Sequence, residues 1–249
     1  MNLIDKVKKL VANMQRAITD LKAIKTALIE NGAEIPEGTT TSDYAGKISE
    51  VYENGINSAK NPIKYATQLY NAFYEAVFPA GYEMELDIPN VQQLSYAFWS
   101  ARGIKKVTIK GITDERAISF RHCFRACSTL ETLDLSNINV KIADGTYSFM
   151  GANALKQIIG VMDLTSCESV TNMFHSCTSL EYVRFKEETI LLSIAFSYSQ
   201  NLSAESVQSI IDGLATVETQ QTLTLHSTVK ANLTIEQKTT ILTKNWVVM

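Results

Sequence analysis

Apolar positions recur along the C-terminal two-thirds of the chain at a regular interval of roughly 25 positions. Four of the five repeats end in an alternating segment, read as IKKVTI, LETLDL, LKQIIG and LEYVRF. Alternation with a period of two is typical of a β-strand that buries one face. In the third of these segments Gly160 replaces a large apolar residue, which predicts a local bulge or a wider loop. The first residues of the repeats are Phe98, Phe124, Phe149, Phe174 and Phe196.

Successive repeats are predicted to stack on one another. One unit of this length cannot cover its own apolar face, and its length falls within the range of leucine-rich repeats. Three positions after each phenylalanine the residue is always small, which favours close contact between neighbouring turns. The pattern therefore predicts a solenoid over residues 91–202, with the phenylalanines and leucines in one dry interior.

Residues 1–30 show a heptad pattern of apolar positions in alternating steps of four and three. This pattern predicts a coiled-coil helix that oligomerises. A further apolar column at Ile4, Val11 and Ile18 widens the stripe and favours a parallel trimer, although dimeric and hexameric symmetry stay open. The alternative is an amphipathic helix packed on the chain's own core. The heptad positions are Leu3, Val7, Leu10, Met14, Ala17, Leu21, Ile24 and Leu28.

The segments on both sides of the repeats predict mixed structure. Residues 31–57 are expected to form a short helix-turn-helix connector, and residues 58–90 a helix from Pro62 past Phe73 to Val77, followed by a strand MELDI that caps the solenoid. Residues 203–249 are expected to form a C-terminal α/β cap, with a helix after Ser203, a strand QTLTLH, a capping box TIEQ and a closing strand. The predicted fold class is α+β.

Composition and charge narrow the classes of function. The 249 residues are 45% hydrophobic and 20% charged with a net charge of −3, as in a soluble globular protein. There is no basic patch for nucleic acid. The segment MNLIDKVKKLVANMQRAITD lacks the apolar core of a signal peptide, and no apolar run is long enough to predict membrane insertion. The spacing of the four cysteines predicts reduced, buried thiols.

Candidate chemistry is sparse. The sequence contains no P-loop, GxSxG, HExxH or GxGxxG motif. His122 and Cys123 with Cys127, and His175 with Cys177, resemble fragments of a metal site, but Cys127 and Cys177 fall two turns apart, roughly 10 Å by strand spacing. We therefore predict no catalytic residue, no metal, no cofactor and no enzymatic activity; the alternative is a glycan hydrolase whose site the motifs do not reveal.

Recognition is the expected function, and the outward strand positions are the expected site. These positions vary between repeats while the inward positions stay apolar. Tyr182 and Arg184 are the strongest candidates, since aromatic and arginine residues dominate interface energies. The alternative is an ordinary solvated surface. The predicted binding residues are Lys106, Thr108, Thr132, Asp134, Gln157, Ile159, Tyr182 and Arg184.

The segments FRACSTLETLDL and FHSCTSLEYVRF resemble the BspA-like leucine-rich repeats. The C-terminal LSAESVQSIIDGLATVETQQTLTLHSTVKANLTIEQKTTILTKNWVV is similar to a segment found with such repeats in tail and baseplate proteins of phages and prophages of Gram-positive bacteria. The segment AIKTALIENGAEIPEGTTTSDYAGKISEV resembles an element of phage tail structural proteins.

This resemblance implies a tail-tip, baseplate or tail-fibre protein, assembled in the host cytoplasm and located in the virion. It also implies a homotrimer that contacts other tail proteins and a host-surface glycan or protein. The alternative is a bacterial surface adhesin, because BspA-like repeats also occur in such proteins. Those adhesins carry an export signal, which this sequence does not show, so the phage interpretation is favoured.

Overall fold

Parallel strands, contributed one after another by successive repeats, dominate the computed structural model, which describes residues 66–138 and 141–249. The first sheet has the order β1-β2-β4-β6 and the second the order β3-β5. These strands are β1 (Val77–Asp87), β2 (Arg102–Lys110), β3 (Ala117–Ser119), β4 (Thr132–Asn137), β5 (Lys141–Asp144) and β6 (Gln157–Ile159).

Register follows the sequence repeat. Val107 pairs with Leu133, and Leu133 pairs with Ile158, so that equivalent positions of successive repeats lie side by side. In the second sheet Ile118 pairs with Ile142 in the same way. The polypeptide therefore passes once through each sheet per repeat, and every repeat lies directly on the one before it.

A tight turn around each phenylalanine closes the repeat. Two residues with left-handed backbone flank Phe98, Tyr96 with a φ of 61° and Ser100 with a φ of 59°, and the same arrangement recurs at the next three turns. The turns bond directly to one another, because the backbone N–H of Phe98 donates to the carbonyl of Cys123 at 2.8 Å. This ladder satisfies the buried backbone groups of the turns without helix or sheet.

The interior is a column of stacked phenylalanine rings. All five phenylalanines of the repeat are fully buried, which confirms the prediction that they share one interior. Ring centroids of successive members lie between 4.7 and 5.9 Å apart, from Phe98 to Phe196. Phe73 adds one more ring, 4.7 Å from Phe98. Its turn also carries left-handed residues, Asn71 and Glu75, so it is a further repeat that the sequence analysis missed.

The C-terminal elements follow the last repeat. A third parallel sheet has the order β7-β8-β9, and three short helices lie between its strands in the sequence. The predicted helix start at Ser203 and the capping box at Thr234 and Gln237 are confirmed. The short helix over Ser227–Ala231 was not predicted. The elements are β7 (Ile194–Phe196), α1 (Ala204–Gly213), β8 (Gln221–Leu225), α2 (Ser227–Ala231), α3 (Ile235–Thr243) and β9 (Trp246–Val248).

The predicted α+β class with a helical stalk, a leucine-rich-repeat solenoid and an α/β cap is wrong. Within the described residues parallel sheets dominate, and helix is confined to three short elements. The helix predicted to run past Phe73 to Val77 is also wrong, because residues 70–75 form a turn and a strand begins at Val77. Leu69 is buried and Phe73 partly buried before and within the turn, whereas Val77 is exposed in the strand, so the spacing does not mark one buried face of a helix.

The predicted coiled-coil positions and the connector over 31–57 lie outside the described residues. The trimer inferred from those positions stays a prediction.

Candidate binding face

The eight predicted binding residues lie together on one side of the first sheet, and we call this surface the sheet face. Lys106 pairs with Thr132, Thr132 with Gln157, and Gln157 with Tyr182. All are partly exposed, while the residues between them in sequence, such as Val107 and Leu133, are fully buried. A second column runs beside the first, through Thr108, Asp134 and Ile159, with Arg184 two residues after Tyr182.

Strand β1 extends both columns by one residue each. Glu83 pairs with Lys106, and Glu85 pairs with Thr108. Glu85 also forms an ion pair with Lys110 across the strands. The strand MELDI is predicted from the sequence, but the continuation of the two columns into it is not, although its alternation of apolar and polar residues carries that signal.

Neighbouring strands bind each other through side chains at the centre of the sheet face. Gln157 Nε2 donates to Thr132 Oγ1 at 3.0 Å, and Lys106 Nζ lies 3.5 Å from Asp134 Oδ2. Partial burial tends to raise the pKa of Asp134, but hydrogen bonds from Ser136 and the charge of Lys106 outweigh it, so that this pKa lies below its ordinary value. The Asp134 carboxylate therefore stays charged at neutral pH.

Tyr182 and Arg184 form a connected group with Glu205 of α1 at the far end of the sheet face. Tyr182 Oη donates to Glu205 Oε1 at 3.2 Å, and Arg184 Nη1 donates to Tyr182 Oη at 3.4 Å. Arg184 Nη1 also lies 3.8 Å from the same carboxylate oxygen. These contacts connect the aromatic ring and the guanidinium to each other and to α1.

A second aromatic column follows the turns, and the sequence analysis missed it. The His122 ring stacks between Tyr96 and Tyr147, with centroids 4.7 and 4.8 Å away, and Arg125 lies over the rings of Trp99 and Tyr147. The residues stand two positions before or one position after the phenylalanine of each repeat, a spacing visible in the sequence. Since their faces stack on one another, these rings stabilise the turns and leave little ring face for a ligand.

Two buried cysteines have a structural role, because their thiols bond to the backbone of neighbouring turns. Cys127 Sγ donates to the carbonyl of Phe98 at 2.8 Å, and Cys177 Sγ to that of Phe149 at 3.1 Å, each across to the preceding turn. Burial raises the pKa of the Cys177 thiol to about 12. In the part of the chain that the structure describes, no group of three or more His, Cys, Asp or Glu side chains is arranged to hold a metal ion.

The chain matches no protein-family model, no curated protein and no solved structure. Among residues 66–138 and 141–249 no helix has the length and apolar character needed to span a bilayer.

Proposed function

We propose that this protein is a recognition component of a phage tail, which binds the host surface or a neighbouring tail protein through the sheet face. The observation that carries the proposal is the difference between the two sides of the first sheet. One side belongs to the buried interior, while the other presents mostly polar residues in two columns that are in register across the strands. The phage context rests on the resemblance of the repeat and C-terminal segments.

The geometry of the sheet face suits recognition of an extended partner. Five adjacent strand positions at about 4.8 Å spacing provide a surface roughly 19 Å wide. Along this width the exposed groups change from acidic on β1 to mixed at the centre, and to Tyr182 and Arg184 at the far end. A surface that varies along a rigid support distinguishes partners by the order of their groups.

The function is tested by binding of fluorescently labelled full-length protein to intact Gram-positive cells and isolated cell walls. The double variant Tyr182→Ala/Arg184→Ala is expected to bind at least about tenfold more weakly, because it removes both anchor side chains. The control Tyr198→Ala/Arg121→Ala removes the same residue types from exposed turn positions away from the sheet face and should bind like wild type. Equal binding of the two double variants would exclude the sheet face as the site.

The phage context is tested separately by mass spectrometry of purified virions. The chain should be present in particles, and virions assembled without it should adsorb poorly to host cells. Normal virions that lack the chain and adsorb at the usual rate would overturn the proposal.

A further inference from the structure

The corner between the two sheets becomes shorter from one repeat to the next. The chain advances 11 positions between the two ladders in residues 106–117, 9 positions in residues 132–141 and only 6 positions in residues 157–163. A shorter corner leaves less chain to cover the surface between the two ladders. The result is a cleft of about 550 Å³, which we call the corner cleft, within the range of roughly 300–1,000 Å³ for small-molecule sites.

Gly160 makes this indentation, because its backbone lies directly against the preceding repeat. A Cβ atom at Gly160 would lie 2.8 Å from the carbonyl carbon of Leu135, and the φ of Gly160 is 107°. Only glycine permits so close a contact together with this backbone conformation. Beside it, Ile138, Ile159 and Val161 give the corner cleft an apolar wall.

Charged side chains from four successive repeats surround that apolar wall. Lys141 Nζ donates to Glu115 at 2.8 Å, and Lys186 Nζ donates to Asp163 at 2.9 Å. Arg184 is the fifth charged residue of the lining, so the cleft has three cations and two carboxylates. The lining thus carries an excess positive charge in a chain whose net charge is −3.

Arg184 supplies that excess. Its carboxylate neighbour, Glu205, does not line the cleft, and the two side chains are 3.8 Å apart at exposed positions, a separation at which an ion pair is weak. The contacts of Arg184 with Tyr182 and Glu205 both use Nη1. Arg184 Nε and Nη2 make no hydrogen bond to the residues that the structure describes. They can therefore donate two parallel hydrogen bonds to an acidic group, the arrangement that guanidinium favours.

We propose that the corner cleft binds an anionic sugar unit, with the ring against the apolar wall at Ile159 and Val161 and its carboxylate or phosphate on Arg184 and Lys186. Tyr182 and Ser136 line the same cleft, and their hydroxyl oxygens can accept hydrogen bonds from sugar hydroxyls. The inference deepens the proposed function and rests on it, because Tyr182 and Arg184 belong to both the sheet face and the corner cleft.

Isothermal titration of the full-length protein with three probes tests the ligand class. Glucuronic acid and glucose 6-phosphate carry the two kinds of acidic group, and glucose is the neutral control. At least one acidic probe should bind about tenfold or more tightly than glucose, because only it can pair with Arg184. Which acidic probe binds more tightly separates carboxylate from phosphate recognition. Equal or absent binding of all three overturns the proposal.

Substitutions that remove a positive or a negative charge from the cleft are expected to have opposite effects on the affinity for the acidic probe. Arg184→Gln should weaken binding of the preferred acidic probe by about tenfold, whereas Glu115→Gln, which removes a competing carboxylate, should tighten it by roughly twofold to threefold. Arg121→Gln, at an exposed turn outside the cleft, should change nothing. Equal affinities of wild type, Arg184→Gln and Glu115→Gln would show that the cleft is not the site.

The sugar titration and the cell-binding assay test different proposals, so a negative result in one can be told apart from a negative result in the other. Cell binding that depends on Tyr182 and Arg184, without binding of either acidic sugar, overturns the corner cleft and leaves the proposed function in place. Binding of an acidic sugar that depends on Arg184, without binding to any cell, wall or virion, supports the cleft and overturns the proposed function.

Discussion

The rings of Phe98 and Phe124 lie 5.0 Å apart with their planes only 11° from parallel, although they belong to different repeats of the chain. Each ring is fully buried, and Phe124 in turn stacks on the ring of the next repeat. The interior of the stack is thus a continuous aromatic column, and removal of one member leaves a void between two others.

Replacing Phe124 by alanine is expected to lower the free energy of unfolding by about 3–5 kcal/mol, the usual cost of deleting a buried phenylalanine side chain. Urea denaturation followed by circular dichroism measures the change. Leu242→Ala on α3 is the control, because Leu242 is 65% exposed and should change stability by less than about 0.5 kcal/mol. A similar loss in both variants would contradict the stacked interior.

Gly160→Ala should destabilise the protein by roughly 2–5 kcal/mol, since the new methyl group meets the Leu135 backbone and the left-handed φ is strained as well. Gly81→Ala separates these two causes. Gly81 has a φ of 78° but nothing within 4 Å of an added Cβ, so its substitution should cost only about 1–2 kcal/mol. Thermal unfolding of both variants gives the comparison, and equal costs would mean that Gly160 has room for a side chain.

Stability should fall as the pH drops below about 6.5. Burial between Tyr96 and Tyr147, and then the charges of Arg125 and Arg121, lower the pKa of His122 in the folded protein, while Asp144 opposes this shift. The unfolded chain takes up a proton near its ordinary pKa of 6.5, before the folded chain does. The contribution of His122 is therefore complete above pH 6.5 and is lost as the pH falls through the lower folded pKa.

Urea denaturation between pH 5 and 8 measures this dependence for wild type and His122→Tyr. Tyrosine occupies the equivalent position in both neighbouring repeats with a similar left-handed φ, so the stacking is preserved while the titration is removed. Wild type should lose more stability than the variant over this range. Parallel curves would exclude His122 as the titrating group.

Native thiol labelling should modify one of the four cysteines. Cys123, Cys127 and Cys177 are buried and burial raises the pKa of each thiol, so neither access nor thiolate is available. Cys167 is partly exposed, although burial raises the pKa of its thiol too, and it should react slowly at pH 8. Mass spectrometry should show a single adduct that Cys167→Ser abolishes; two or more adducts under native conditions would contradict the burial.

Several features of the protein can be predicted from the sequence because they depend on local patterns. The repeat of phenylalanines and alternating apolar residues marks the buried column, and the segment TIEQ marks the start of α3. The outward residues of the sheet face follow from the same alternation. A period of two assigns each side chain to one side of a strand without knowledge of the strand's neighbours.

Tertiary structure alone decided the turn at Phe73, the aromatic column at His122 and the corner cleft. The apolar spacing around Phe73 fits a helix as well as a turn, and contacts with the next repeat stabilise the turn: the stacking on Phe98 and the hydrogen bond from the Phe73 N–H to the Ala97 carbonyl. The cleft arises from a difference in length between corners that meet only after the repeats pair in register. A period in the sequence determines which residues face inward, but the alignment of neighbouring repeats determines which outward groups meet, because those contacts join residues that are a whole repeat apart in the chain.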